Sequence, residues 1–290
     1  MSKALVIIKS MGIGDLCILI SNIHAISKKI GNRVTVLAQK NTKAYAILEN
    51  DPNIENIIEL DEKEIKGFFN IIKKIKTQNF DQSYIYSDSL RLYLVSKLSG
   101  IKENFHYKFF SKKGKNFSKT AKEFTEKILN TEIDPQSKIY CNSKDVEEAK
   151  NKFKITNNTK NIICGISASG PTKRWDVNNY IKLFENLNKK FQCKFFLAAG
   201  PSDESLIKQI IDSSIGKKCI SFSKMNISEI IPIIGACKYG IFNDTGFAHI
   251  SSALGLKCLV LFMDSPSAAY GTYSKNISVI VPEGETVESC

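Results

Sequence analysis

The chain reads as α/β, with two doubly wound, Rossmann-like domains. Three observations predict this. First, ALVIIK (4–9) is a short, continuously apolar, β-branched run. The turn SMGIGD (10–15), a helical stretch (16–31) closed by Gly31 and the strand RVTVLAQ (33–39) follow it. That is a βαβ unit, and such units build parallel sheets. Second, the same alternation restarts at NIICGIS (161–167) and runs to KCLVLFM (257–263). Third, a length of 290 residues suits two domains of about 150 residues each. The expected division is 1–155 and 156–290. Sites of such domains lie at the carboxyl ends of the strands, here facing a cleft between the two sheets.

Between these landmarks the first half reads as a helix at 41–50, a strand at 54–60 (IENIIEL), a helix at 62–77, a strand at 80–87 and a helix at 91–100 ending at Gly100. Residues 97–127 read as a solvated loop followed by a helix at 118–130. Residues 134–160 read as a connector holding a polar helix at 144–154. The second half gives helices at 177–191, 205–214, 228–237 and 247–255, with strands at 193–200, 219–223 and 239–244. Apolar residues at Tyr180, Leu183, Phe184 and Leu187 have the spacing of one buried helix face.

Composition narrows the function classes. The chain carries 41 Lys+Arg against 29 Asp+Glu, a net charge of +12. An excess of this size suits nucleic acid, an anionic membrane surface or a phosphorylated small molecule. Only Arg33, Arg91 and Arg174 are arginines, so forked phosphate readers are scarce and part of the excess reads as a solvated lysine surface. Half of it falls in 97–127, where nine Lys face three Glu. There Lys112, Lys113 and Lys115 interleave with aromatics in FHYKFFSKKGKNF, a combination suited to a lipid–water boundary. No groove-reading pattern argues for nucleic acid. The eight cysteines form no CxxC and sit in apolar runs, as small hydrophobes of a reducing compartment do. No 18-residue apolar run or signal peptide is present, which gives the expectation of a cytoplasmic protein.

Four strings carry chemistry. Gly12-Ile13-Gly14-Asp15 resembles half of a dinucleotide fingerprint. Cys17 stands at the third glycine position, and VLAQK brings no ribose-binding acid, so that fingerprint fails. Asp15 then either compensates the helix dipole or serves as a general base. In SASGPTKRWD (167–176), small residues and Lys173 with Arg174 at a helix start suit a diphosphate; Trp175 reads as a packing anchor. In GPSDE (200–204), Asp203 or Glu204 is placed to cap a helix or to accept from ribose hydroxyls. In FNDTGFAH (242–249), a strand end delivers Asp244, Thr245 and Gly246 to a helix start, with amides aimed at an anion; His249 follows. No Asp-x-Asp occurs, so no metal site is expected and charge neutralisation falls to lysine, helix dipoles and amides.

Taken together, these strings resemble glycosyltransferase family 9, the bacterial lipopolysaccharide heptosyltransferases, over nearly the whole chain. The resemblance implies a GT-B arrangement, with the acceptor on the first domain and the nucleotide-sugar on the second. It implies an inverting, metal-independent transfer of a heptose-like sugar, with ADP-heptose as donor, to a lipopolysaccharide core or related glycolipid. Asp15 matches the base. Ser167, Ser169, Lys173, Glu204, Asp244, Thr245, Gly246 and His249 match the donor site. Gly12, Gly14, Lys112, Lys113 and Lys115 fall on the acceptor side. No cofactor is implied beyond the donor co-substrate. The protein is expected to act as a monomer, peripheral at the inner face of the inner membrane. The chain departs from the family in lacking a proline in the first helix, in having Asp176 after KRW and in ending soon after its last strand. A non-catalytic sugar-nucleotide-binding protein and a UDP-sugar epimerase of the same fold are the alternatives.

Overall fold

The computed structural model describes residues 2–9, 12–61, 63–64, 67–107, 116–200 and 203–288. The chain divides into two compact units, Met1–Ile139 and Tyr140–Cys290, each built on one parallel sheet.

The first unit runs β1 (Ala4–Ile8), α1 (Ile13–Ile30), β2 (Val34–Gln39), α2 (Ala44–Leu48), β3 (Ile54–Leu60), α3 (Phe68–Lys76), β4 (Gln82–Tyr86), α4 (Leu90–Leu98), β5 (Glu103–His106) and α5 (Phe117–Leu129). Its strand order is β3-β2-β1-β4-β5. All neighbours are parallel. Every residue of β1 is buried, as a central parallel strand covered on both faces requires. Gly31 ends α1 with a φ of 62°, a left-handed turn that costs glycine least. Buried hydroxyls then tie three elements together. Thr125 on α5 contacts Tyr86 Oη of β4 at 2.6 Å and donates to Asn22 Oδ1 of α1 at 2.8 Å.

The second unit runs α6 (Ser143–Phe153), β6 (Lys160–Gly165), α7 (Val177–Lys190), β7 (Cys193–Ala198), α8 (Glu204–Ile211), β8 (Cys219–Ser221), α9 (Ile227–Gly235), β9 (Tyr239–Asn243), α10 (Gly246–Ala253), β10 (Lys257–Leu261), α11 (Ser267–Tyr270) and β11 (Ile277–Ile280). Its order is β11-β10-β9-β6-β7-β8, again all parallel. The expected apolar face of α7 packs as read: Phe184 stacks on Phe195 of β7 at 4.2 Å, and Trp175 meets Tyr180 edge-on at 5.0 Å. Asp176 caps α7 by accepting from the Asn178 amide.

The structure differs from the sequence reading at three places. The division falls after Ile139, upstream of the expected 155, because the polar helix α6 packs on α9; Cys141 Sγ lies 3.9 Å from the Ile231 carbonyl oxygen. The segment read as a basic loop contains the edge strand β5, and β11 closes the second sheet. Pro232 sits in the second turn of α9. Two lysines of the basic segment are paired within α5, Lys119 with Glu123 and Lys122 with Glu126. The seven described cysteines are free thiols, and burial pushes those of Cys141 and Cys219 up to about 11 and about 12. Among the described residues no helix is long and apolar enough to cross a membrane.

Phe184 is fully buried within this aromatic cluster. Phe184→Ala should therefore lower unfolding free energy by about 3–5 kcal/mol, read by urea denaturation. A loss under about 1 kcal/mol would mean that the cluster collapses around the cavity.

Candidate active site

In each sheet the chain starts on a central strand, winds outward to one side and returns to the other side of that strand. The crevice at such a reversal, outside the carboxyl ends of the strands, is where ligands of doubly wound folds bind. The reversal falls between β1 and β4 in the first unit and between β6 and β9 in the second.

In the first unit the β1–α1 turn lies at this point. Gly12 is the N-cap residue in extended backbone, and Gly14 and Asp15 occupy the second and third positions of α1. A Cβ on Gly12 would meet no described atom within 4 Å, so the space beside the turn is open. Asp15 is half-buried in the first helical turn, where the helix dipole favours a carboxylate. The carboxyl edge of this sheet also holds a pit of about 120 Å³, lined by apolar Ile7, Leu37, Leu60 and Ile71 and by polar Lys9, Gln39, Ser89 and Arg91. Lys9 and Arg91 are candidate anion contacts that the sequence reading missed. The signal was present: Lys9 directly follows β1, and Arg91 is one of only three arginines. The expected acceptor-side residues Lys112, Lys113 and Lys115 lie outside the described residues.

The second unit brings together more of the expected residues. Asn243, the last residue of β9, is fully buried. Its Oδ1 accepts from the Trp175 amide at 3.0 Å and from Tyr180 Oη at 3.1 Å, and its Nδ2 donates to the Ile166 carbonyl at 2.9 Å. It therefore pins the 166–175 loop, carrying Ser167, Ser169 and Lys173, to the loop that carries Asp244 and Thr245. Ser167 is half-buried and Ser169 exposed. Thr245 is the N-cap of α10, but its hydroxyl makes no capping bond and has no partner although buried. Because α10 begins at Gly246 and the Ala248 amide donates to the Thr245 carbonyl, the first-turn amides without an acceptor inside the helix are those of Thr245, Gly246 and Phe247.

Burial pushes the Asp244 carboxyl up, but its interactions with the nearby His249 and Ser265 and the charge of Lys173 outweigh it, so its pKa is lowered. His249 lies buried beneath the loop rather than open to solvent. Its Nε2 is 3.9 Å from Asp244 Oδ1, its Nδ1 is 3.0 Å from Tyr273 Oη, and its ring stacks on Tyr273. Arg174, read with Lys173 as a phosphate contact, is engaged within the fold through one of its nitrogens. Its Nη2 pairs with the buried Asp203 at 2.8 Å and donates to the Ala168 carbonyl at 3.3 Å. That leaves Glu204, exposed at the first residue of α8, as the open carboxylate of GPSDE. Asn243 and Tyr273 were not anticipated as site residues, although Asn243 stands within FNDTGFAH; Arg174 and Asp203 were, but not as a pair. Among the described residues no group of three or more His, Cys, Asp or Glu is arranged to hold a metal ion.

Two parallel-sheet Rossmann-like domains with these switch-point loops define the GT-B class of sugar-nucleotide enzymes. The pattern of glycosyltransferase family 9 (heptosyltransferase) matches residues 112–289, and the chain belongs to this family; it is a glycosyltransferase. It is 23% identical over 272 residues to lipopolysaccharide heptosyltransferase 1 of Campylobacter coli, covering 84% of this chain and 79% of that protein. Its fold is similar to that of the family 9 glycosyl transferase of Veillonella parvula, with a TM-score of 0.82 at 17% identity over 97% of this chain and 86% of the other. E. coli heptosyltransferase WaaC with ADP gives 0.75 at 15% identity, over 99% and 95%.

Two outcomes follow. Asn243→Ala strands the Trp175 amide and the Ile166 carbonyl, and should cost at least about 2 kcal/mol of stability in chemical denaturation; a neutral change would show that the loops are held elsewhere. Asp244, with its pKa below the ordinary 3.8, contributes stability that is present above that pH and is lost as pH falls through its folded-state pKa. The melting temperature of the wild type should therefore fall more steeply below about pH 4 than that of Asp244→Asn; parallel curves would contradict this.

Proposed function

We propose that the chain transfers a heptose-like sugar from ADP-heptose to a lipopolysaccharide core or related glycolipid, inverting the anomeric carbon and using no metal. The observation that carries the reading is the pair of switch-point sites: a carboxylate at a helix start, Asp15, on the first domain, and on the second a pinned loop pair offering Lys173, the Thr245 hydroxyl and the first-turn amides of α10.

Asp15 takes the proton of the acceptor hydroxyl as that oxygen attacks the anomeric carbon. The bond from that carbon to the β-phosphate oxygen breaks on the opposite face, and its electron pair leaves with ADP. Attack from behind inverts the configuration. Lys173, Thr245 and the amides of Gly246 and Phe247 meet the charge that grows on the departing diphosphate; preorganised donors of this kind are worth most where water is excluded. His249 holds Asp244 from behind, so their role is to shape the loop. Ser167 and Ser169 lie on the same pinned loop as small hydroxyl contacts, and Glu204 suits the ribose hydroxyls. Lys9 and Arg91 suit an anionic group of the acceptor. The heptosyltransferase relatives support the sugar, and the ADP held by the E. coli structure supports the nucleotide.

The test is Asp15→Asn. Turnover, followed as ADP release, should fall by about 10²–10⁴-fold, while ADP-heptose affinity measured by calorimetry stays within about threefold. Wild-type turnover in the variant would remove Asp15 as the base. EDTA should leave the wild-type rate unchanged; a rate lost to EDTA and restored by Mg²⁺ would refute the metal-free mechanism.

A further inference from the structure

The first domain carries an apolar stripe that no described element covers. On α4, Leu90, Leu94 and Leu98 stand at i, i+4 and i+8 and are 52%, 38% and 57% exposed. On the neighbouring α3, Phe69 is 81% exposed. The two helices pack side by side on one sheet face; Ser99, capping α4, donates to the Ile72 carbonyl of α3 at 3.3 Å. The inward sides of both helices are already used. Ile71, Ile75 and Val95 are buried in the core, and Phe68, Ile72, Leu92 and Tyr93 pack against it. The outward leucines and Phe69 therefore add nothing to the core, and apolar side chains aligned along a helix mark an interaction surface.

The charge around the stripe selects its partner. Helices α3 and α4 carry five basic residues and no acid. On α3, Lys73 and Lys76 share the face of Phe69 at i+4 and i+7, and Lys97 lies over the Tyr93 ring on α4. Lys74 is drawn into an ion pair with the preceding turn, to Glu64. A second copy of the chain seated on this face would set like charges against each other. An anionic bilayer complements both features, taking the leucines into its headgroup boundary while the lysines snorkel to phosphates.

We infer that the outer faces of α3 and α4 are the surface by which this enzyme docks on an anionic lipid bilayer. This deepens the reading that the acceptor is a membrane-held glycolipid and rests on it. Helix α4 starts at the carboxyl edge of β4, where Ser89 and Arg91 line the pit. Docking along α4 sets that edge next to the lipid surface, where a lipid-anchored acceptor presents its glycan.

Cosedimentation with vesicles of equal parts phosphatidylethanolamine and phosphatidylglycerol, without donor or acceptor, reads the docking face alone. The wild type should bind these and ignore phosphatidylcholine vesicles. A Leu94→Asp/Leu98→Asp variant, and separately Phe69→Ser, should bind at least about tenfold more weakly, the factor set by burying a single leucine. Both should keep the wild-type melting temperature and full turnover on a lipid-free acceptor. Variants that sediment like the wild type would overturn the inference. So would a wild type that ignores both vesicles, or that binds polyglutamate but not lipid, or whose exposed leucines mediate dimerisation in light scattering. Failure of wild-type turnover on the lipid-free acceptor, with vesicle binding as expected, would sink the transfer reading and leave the docking face standing.

Discussion

The side-chain amide of Asn243 fixes the geometry on which the second domain's site depends. It sits at the carboxyl end of β9 with no exposure to water, and its side chain ties the neighbouring loop and α7 together: the Trp175 amide and the Tyr180 hydroxyl donate to its oxygen, and its nitrogen donates to the Ile166 carbonyl. A buried amide is costly to leave unpaired, so the loop after β6 and the loop after β9 cannot shift independently. Lys173 on one and Thr245 on the other are thereby held in one frame. A second bond network works alongside it, as Arg174 ties Ala168 to Asp203 of the loop after β7. Three loops from three neighbouring strands are in this way set without using the groups left to meet a ligand: the Lys173 ammonium, the Thr245 hydroxyl and the first amides of α10. Donors fixed before the ligand arrives need no reorganisation during the reaction.

The same topological rule operates in each domain, with different chemistry. Both sheets reverse direction beside their first strand, and both put a turn and a helix start at the reversal. In the first domain the helix start carries a carboxylate, Asp15, and the cations Lys9 and Arg91 line a pit at the carboxyl edge of the same sheet. In the second it carries a hydroxyl and amides, with a lysine opposite. In the proposed transfer this asymmetry separates the roles: a proton acceptor where the acceptor binds, and positive potential where a diphosphate departs. The charge of +12 divides accordingly. Lysines on α5 are paired with glutamates already counted in that net, whereas α3 and α4 present basic residues without acids beside exposed leucines.

Much of this was legible in the sequence. The fully buried β1 announces itself as an unbroken apolar run, and Gly31 marks the end of α1. The string NDTG sits where a strand delivers a helix start, and Trp175 anchors α7 as its isolation in a helix-start string suggested. What was hidden has physical reasons. β5 (ENFH) is an edge strand whose side chains are half-exposed, so neither alternation nor an apolar run betrays it. α6 buries little beyond Ala149, and a helix with so small an apolar face looks like a connector; its attachment to α9 is a long-range packing fact. The Arg174–Asp203 pair joins loops of different strands, and no local pattern shows that an arginine beside Lys173 is engaged inside the fold. His249 reads from sequence as a ligand contact because its stacking on Tyr273 is invisible there.

The central claim is that the pinned loops of the second domain hold the nucleotide diphosphate. Hydrogen exchange of the wild type with and without saturating ADP tests it most directly. The account predicts that ADP slows exchange chiefly at the backbone amides of 166–175 and 244–249. Protection confined to the opposite, amino-terminal edge of that sheet, with these two loops unchanged, would contradict it.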